Sequence, residues 1–304
     1  PRSTLSSSSA ASDVYKRQIQ DHKGYMWFAT QGGVSRFDGY RFVNFGIAEG
    51  LPFIDVETIL EDRQGRIWAG TLEGGVAVLE KGEWTIKKSY RGFADQAFVK
   101  LFEGHDGHIF CYPDTGISII TDKAVRYLTT KDGLSNDSVT CHWVDKDGKI
   151  LIGTYSGLDL IQKGQNSSYH IKTLLSDVTV MCLIRDLHGM LWIGTWGDGI
   201  FRYDGNTFVN YSGHEDSPIK KVSCLYIDHK GNLWAGLMES GIARLENDRF
   251  IMNTDPVISQ ASIMDIVEDR HNTIWAQSWG EGVFMIRQNQ VRKITTSNNL
   301  PDIF

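Results

Sequence analysis

Cysteine, proline and positive charge are all in short supply in this chain, and each scarcity removes a class of answer. Four cysteines in 304 residues rule out the small scaffold held by many disulfides. Lys and Arg number 31 against 37 Asp and Glu, a net charge of −6. That balance excludes nucleic acid as a partner, because such a surface needs a clustered basic excess. No apolar stretch approaches the roughly 18 residues that a membrane-spanning helix requires. Six prolines against 31 glycines suit a chain of many tight turns.

What the chain does have is repetition. A phrase whose full form is Asp, two residues, Gly and a short stretch ending on an aromatic or Leu returns seven times, decayed in the third copy and with Asn272 for the Gly in the seventh. Its apolar mark falls on Trp27, Trp68, Phe110, Leu151, Trp192, Trp234 and Trp275, with gaps of 41, 42, 41, 41, 42 and 41 residues. So regular a period means one supersecondary unit copied in series. Within the copy from Asp137 to Asp177, β-rich runs at Val139 to Asp145, Lys149 to Thr154, Leu158 to Gln162 and Tyr169 to Leu174 are separated by turn residues. Four short strands per period predict an all-β, seven-bladed β-propeller of four-stranded antiparallel blades. The seven recurrent apolar residues are then structural, packed between blades, with the Asp and Gly shaping a hairpin and the following Gly-Thr in a crowded strand.

The expected organisation has three parts. Residues 1–18 are Ser-rich and unpatterned, and Asp13 to Gln18 resembles a translated library adapter, so this stretch reads as a non-native or disordered leader. The propeller occupies 19–297, with the first strand of blade one at about Val14 to Asp21. Residues 298–304 either begin an eighth repeat or supply a closing strand, since Asn298 to Asp302 echoes Glu49 to Pro52.

The best copies, Asp62-Arg63-Gln64-Gly65-Arg66-Ile67-Trp68-Ala69-Gly70-Thr71 and Asp186-Leu187-His188-Gly189-Met190-Leu191-Trp192-Ile193-Gly194-Thr195, resemble the two-component regulator propeller repeat. The resemblance recurs in register over Ile19 to Phe304. It implies the periplasmic ligand-sensing region of a one-piece or hybrid sensor histidine kinase, or less often of a diguanylate cyclase, here a fragment without catalytic output. The partners it implies are a small-molecule or oligosaccharide ligand, downstream signalling domains of the same chain, and a homodimer in the full-length protein. No cofactor is implied. Streptogramin lyase, with a similar Gly-x-x-Trp-Phe flavour and seven blades, is the enzymatic alternative, and a protein-interaction propeller is the third.

Function is expected where the repeats differ. The turns between second and third strands carry Gln31, Glu73, Asp114, Tyr155, Trp196 with Asp198, Glu239, and Trp279 with Glu281. The matched phrases Trp196-Gly197-Asp198-Gly199 and Trp279-Gly280-Glu281-Gly282 set an aromatic face beside a carboxylate on a glycine-held turn. That combination suits a sugar ring, which stacks while its hydroxyls donate to the carboxylate.

Metal and nucleophile chemistry find less support. His22, His105, His188, His229 and His271 fall in turns between first and second strands of separate blades, where solvated side chains are expected and no shared ion is. His142, in a first strand, is the one histidine placed near a central channel. Asp145-Lys146-Asp147-Gly148 lacks the later ligands of a calcium loop and reads as a plain turn. Cys141, Cys182 and Cys224 each precede a turn glycine by seven residues. Equivalent places in neighbouring blades lie beyond the Cα separation of about 7 Å that a disulfide spans, so they read as small buried apolar residues.

Overall fold

The computed structural model describes residues 15–72, 75–87, 100–112, 116–121, 124–164, 168–212, 217–287 and 290–294. They contain seven four-stranded antiparallel sheets, each with its strands hydrogen-bonded in chain order. The fold is the expected all-β seven-bladed propeller. The blades span 15–45, 56–87, 100–128, 139–176, 180–210, 222–252 and 263–294. Blades one to three, with residues 146–148, form one compact unit; the rest of the chain, including blades four to seven, forms a second. The first strand of blade one, Tyr15–Gln20, pairs with Met26–Thr30 and begins inside the stretch set aside as a leader. The tail at 298–304 lies outside the described residues.

The repeated Asp is a clamp for the repeated Trp. In blade one Asp21 Oδ1 accepts the Lys23 and Tyr25 backbone N–H groups at 2.9 and 2.8 Å, closing the turn. Its Oδ2 accepts the Trp27 indole N–H at 2.7 Å. The same indole bond recurs from Trp68 to Asp62, Trp192 to Asp186, Trp234 to Asp228 and Trp275 to Asp269, at 2.8 to 3.0 Å. A buried indole must place its N–H somewhere, and a carboxylate six residues upstream is the fixed answer here. Burial pushes the Asp62 and Asp228 carboxyls up, but the hydrogen bonds from Trp68 and Trp234 and their turns outweigh it and leave both below the usual range.

The Gly-Thr that follows has an equally specific cause. A Cβ on Gly153, Gly194 or Gly236 would lie 2.5 Å from the sulfur of Cys141, Cys182 or Cys224 on the adjoining strand. On its other side it would meet Val180, Val222 or Ile263 of the next blade at 2.7 to 2.8 Å. Only glycine allows blades to approach that closely. The cysteines are free, as expected, and burial holds the Cys182 thiol well above its ordinary value and pushes Cys224 up to about 12. The Thr hydroxyl then caps the next turn: Thr71 donates to the Gly75 carbonyl at 2.9 Å and Thr195 to that of Gly199 at 2.8 Å.

Where the phrase decays, it decays as a set. Blade three has Gly104 in place of Asp and Phe110 in place of Trp. A Cβ at Gly104 would touch the Phe110 ring at 2.7 Å, so the ring occupies the room the carboxylate left, and it stacks on Phe102 at 4.9 Å. Blade four keeps Asp145 but has Leu151. Asp145 there meets Arg185 of blade five at 3.1 Å.

The turn histidines are exposed, yet two do more than face solvent, which corrects the expectation for them. Glu61 of blade two accepts the His22 backbone N–H at 3.0 Å and contacts its Nδ1. Glu268 of blade seven does the same for His229, at 2.7 Å to the N–H and 2.5 Å to Nδ1. Glu103 takes the Arg63 N–H at 3.0 Å in the same register. These carboxylates tie one blade's turn to the next blade's first strand.

Candidate functional site

In the unit of blades four to seven, the residue after the Gly-Thr position is Tyr155, Trp196, Met238 and Trp279 in turn. Each N–H donates to the backbone carbonyl just before its own blade's first strand: Ser138 at 3.2 Å, Thr179 at 2.8 Å, Lys221 at 3.0 Å and Ser262 at 2.8 Å. The four therefore hold one register at one end of their blades, on turns pinned by main-chain bonds. Tyr155, Trp196 and Trp279 are 57%, 42% and 71% exposed, unusual for large aromatics. Met238 is half-buried. Sequence reasoning chose Glu239 for blade six and passed over Met238; the one-residue offset from the Gly-Leu of Ala235-Gly236-Leu237 was the signal that could have found it.

The expected carboxylates are less free than the reading required. Glu239 sits at φ +59°, its N–H on the Ser262 hydroxyl at 3.0 Å, and its carboxylate lies 3.6 Å from the Lys221 ammonium. Lys221 also rests over the Trp196 ring, 5.8 Å from its centroid. Trp196, Lys221 and Glu239 thus form one contiguous group. In blade seven Glu281 pairs with Lys293 at 2.7 Å. Asp198 is exposed, and its turn is held by the Thr195 hydroxyl at 3.1 Å and by the Asn210 amide at 3.1 Å. Gln31 occupies the matching turn of blade one and is exposed. Glu73 and Asp114 lie outside the described residues.

The blade-four turn is strapped more firmly than the others. Asp159, fully buried, accepts from the Ser135 N–H and hydroxyl at 2.8 Å each and from the Thr173 hydroxyl at 2.7 Å. Ser135 in turn meets the Thr154 hydroxyl at 2.7 Å, and Asn136 donates to Ser156 at 2.9 Å. Tyr155 is carried on that network. His142 is half-buried opposite Ile152. Among the described residues, no three His, Cys, Asp or Glu side chains converge as a metal site would require.

Residues 50–73 match the family model of the two component regulator propeller, so the resemblance read from Asp62 to Thr71 is borne out. Among solved structures, the chain is similar to the extracellular domain of a putative hybrid two component system from B. thetaiotaomicron, with 21% identity and a TM-score of 0.58. The match covers 91% of this chain and 38% of that one, so the chain spans less than two-fifths of its length. A catalytically inactive virginiamycin B lyase from Staphylococcus aureus matches at 14% identity and TM-score 0.56, over 91% of this chain and 95% of that one. The Dos1 propeller matches at 9% identity and TM-score 0.62, over 90% and 77%. At these identities the structures speak for the fold. No curated protein matches the chain. Fold and repeat together define a seven-bladed β-propeller with a two component regulator propeller repeat matched at residues 50–73.

Proposed function

We propose that this chain is the extracytoplasmic ligand-sensing propeller of a two-component sensor, reading a small molecule or oligosaccharide and relaying the event to signalling domains elsewhere in the full-length protein. The observation that carries this is the row Tyr155, Trp196, Met238 and Trp279, exposed or half-exposed at one register on pinned turns. Rigid aromatics stack on sugar rings with little ordering cost, and the Lys221–Glu239 pair beside Trp196 offers both a donor and an acceptor. The repeat match at 50–73 and the likeness to a sensor's extracellular domain support the class.

The test is calorimetry with a panel of soluble oligosaccharides on the whole chain and on Trp196→Ala and Trp279→Ala. Each substitution is expected to weaken binding about tenfold, the worth of one stacking contact, and to leave the melting temperature in place. Unchanged affinity with a lowered melting temperature would sink the site.

The lyase alternative rests on the likeness to virginiamycin B lyase over 95% of that chain. It calls for a histidine and carboxylate on the substrate face. Here the histidine–carboxylate pairs His22–Glu61, His108–Asp106 and His229–Glu268 all sit at turns between first and second strands, the opposite end of a blade from its turn between second and third strands. Mass spectrometry of a cyclic streptogramin B after incubation would decide, with ring opening favouring the lyase.

A further inference from the structure

Between the fourth strands of blades five and six lies a half-open cavity of about 400 Å³. The fourth strand of blade five, Phe208–Asn210, is only three residues long, and Tyr211 just beyond it still donates its N–H to the Ile200 carbonyl at 2.8 Å, which fixes that wall of the cavity. Its apolar sides are the rings of Tyr211 and Phe250, edge to face at 6.0 Å between centroids, with Pro218 and the buried Ile219. Its charged groups are Asp248 and Arg249, with Asn210 and Ser217 as neutral polar lining.

Those two groups are unevenly used. Asp248 Oδ1 accepts from the Tyr211 hydroxyl at 2.5 Å and meets Arg202 at 3.2 Å, while its Oδ2 has no partner among the described residues. Arg249 is exposed; its backbone pairs with Glu246, but its guanidinium makes no hydrogen bond or ion pair among the described residues. Asp248 also holds φ +62° after Asn247 at +46°. In a two-residue hairpin of that shape the second place is the preferred home of glycine. A carboxylate is therefore held there at some backbone cost, the kind of local exception that marks functional positions.

We propose that this cavity is a second ligand site, separate from the exposed aromatic row, and that it takes a single-ring carboxylate also bearing an ammonium or hydroxyl donor. The ring rests against the contacting pair Tyr211 and Phe250, on the side lined by Pro218. Arg249 holds the carboxylate by its paired N–H groups, as guanidinium does best. Asp248 Oδ2 accepts from the donor. The volume lies at the low end of small-molecule pockets, which matches one ring and a short polar tail.

Three probes separate the parts: L-phenylalanine, 3-phenylpropanoate, which lacks the ammonium, and phenethylamine, which lacks the carboxylate. Titrated into the 304-residue chain and followed by calorimetry and amide NMR, L-phenylalanine should bind saturably at millimolar concentration or better, and each of the others roughly tenfold more weakly, the loss of one charge-assisted contact. Arg249→Ala, at an exposed position, should abolish the preference for carboxylates. Asp248→Gly, which suits the backbone there, should make L-phenylalanine and 3-phenylpropanoate equal. Trp196→Ala should change none of these affinities, whatever it does to oligosaccharide binding. No saturable binding of any probe, binding indifferent to Arg249→Ala, or binding lost in Trp196→Ala would each overturn the proposal.

Discussion

Trp143 stands directly across the first two strands of blade four from Leu151. In blades two, five, six and seven the order is reversed, with Trp68 opposite Leu60, Trp192 opposite Ile184, Trp234 opposite Tyr226 and Trp275 opposite Val267. Blade four has not lost its indole; it carries it on the neighbouring strand. The exchange has a cost, since the Trp143 N–H is buried without a partner among the described residues, and a consequence, since Asp145 turns to Arg185. Restoring the common order in Trp143→Leu/Leu151→Trp should recover a stability within about 1 kcal/mol of the parent, whereas Trp143→Leu alone should lose about 2 to 3 and Leu151→Trp alone about 1 to 3. Chemical denaturation of the four proteins closes the cycle. Additive single effects would show that the two positions do not share one packing site.

A second prediction concerns the glycine of Gly-Thr. Gly194→Ala places a methyl 2.5 Å from the Cys182 sulfur and 2.7 Å from Val222 of the next blade. Overpacking of this kind costs about 1 to 3 kcal/mol. Cys182→Ala removes one of the two collisions, so the double variant should recover part of the loss and no more. Full recovery would mean that the blade interface at Val222 yields freely, against the close-packed reading.

How much of this was legible in the residues follows a physical line. The period and the small-residue turns were enough for seven blades, because every copy must bury the same face. The Asp-to-Trp bond was not visible, since nothing in a spacing of six says that one residue's carboxylate meets the other's indole. The ties through Glu61 and Glu268 were missed for a different reason: their partners lie 39 residues away, and a turn histidine looks solvated when read by itself. In the exposed turns, Tyr155, Trp196 and Trp279 were found because they are anomalies in a repeat. Lys221 was not, because it belongs to the connection before a strand and reaches Trp196 only in three dimensions.

The clamp carboxylates make the fold acid-sensitive. Asp269 is held down to about 2 by the Trp275 indole and the backbone N–H groups of its turn, and Asp62 and Asp228 also lie low. A carboxyl whose folded value is depressed contributes stability above its unfolded value, near 3.9. That contribution disappears as the pH falls from about 4 toward 2. Asp228→Ala should flatten the acid limb of a stability profile and cost about 2 to 3 kcal/mol at neutral pH, because the Trp234 indole and two backbone N–H groups lose their acceptor. A profile as steep as the parent's would place the acid sensitivity elsewhere.

Tyr211 makes the opposite prediction at high pH. Burial first, then the hydrogen bond to Asp248, pushes its phenol up from 10.0 to about 12, against the pull of Arg202. A raised folded value means that its contribution is complete below pH 10 and is lost as the pH climbs toward 12. Asp248→Gly removes the acceptor and leaves Arg202 to favour the phenolate, so the Tyr211 transition should move down while burial keeps it above 10. Absorbance titration at the phenolate band, taken as the difference from Tyr211→Phe, isolates this one ring among the chain's 11 tyrosines. A transition that stays near 12 in Asp248→Gly would show that the phenol is governed by burial alone, and that the contact across blades five and six does not hold the ring.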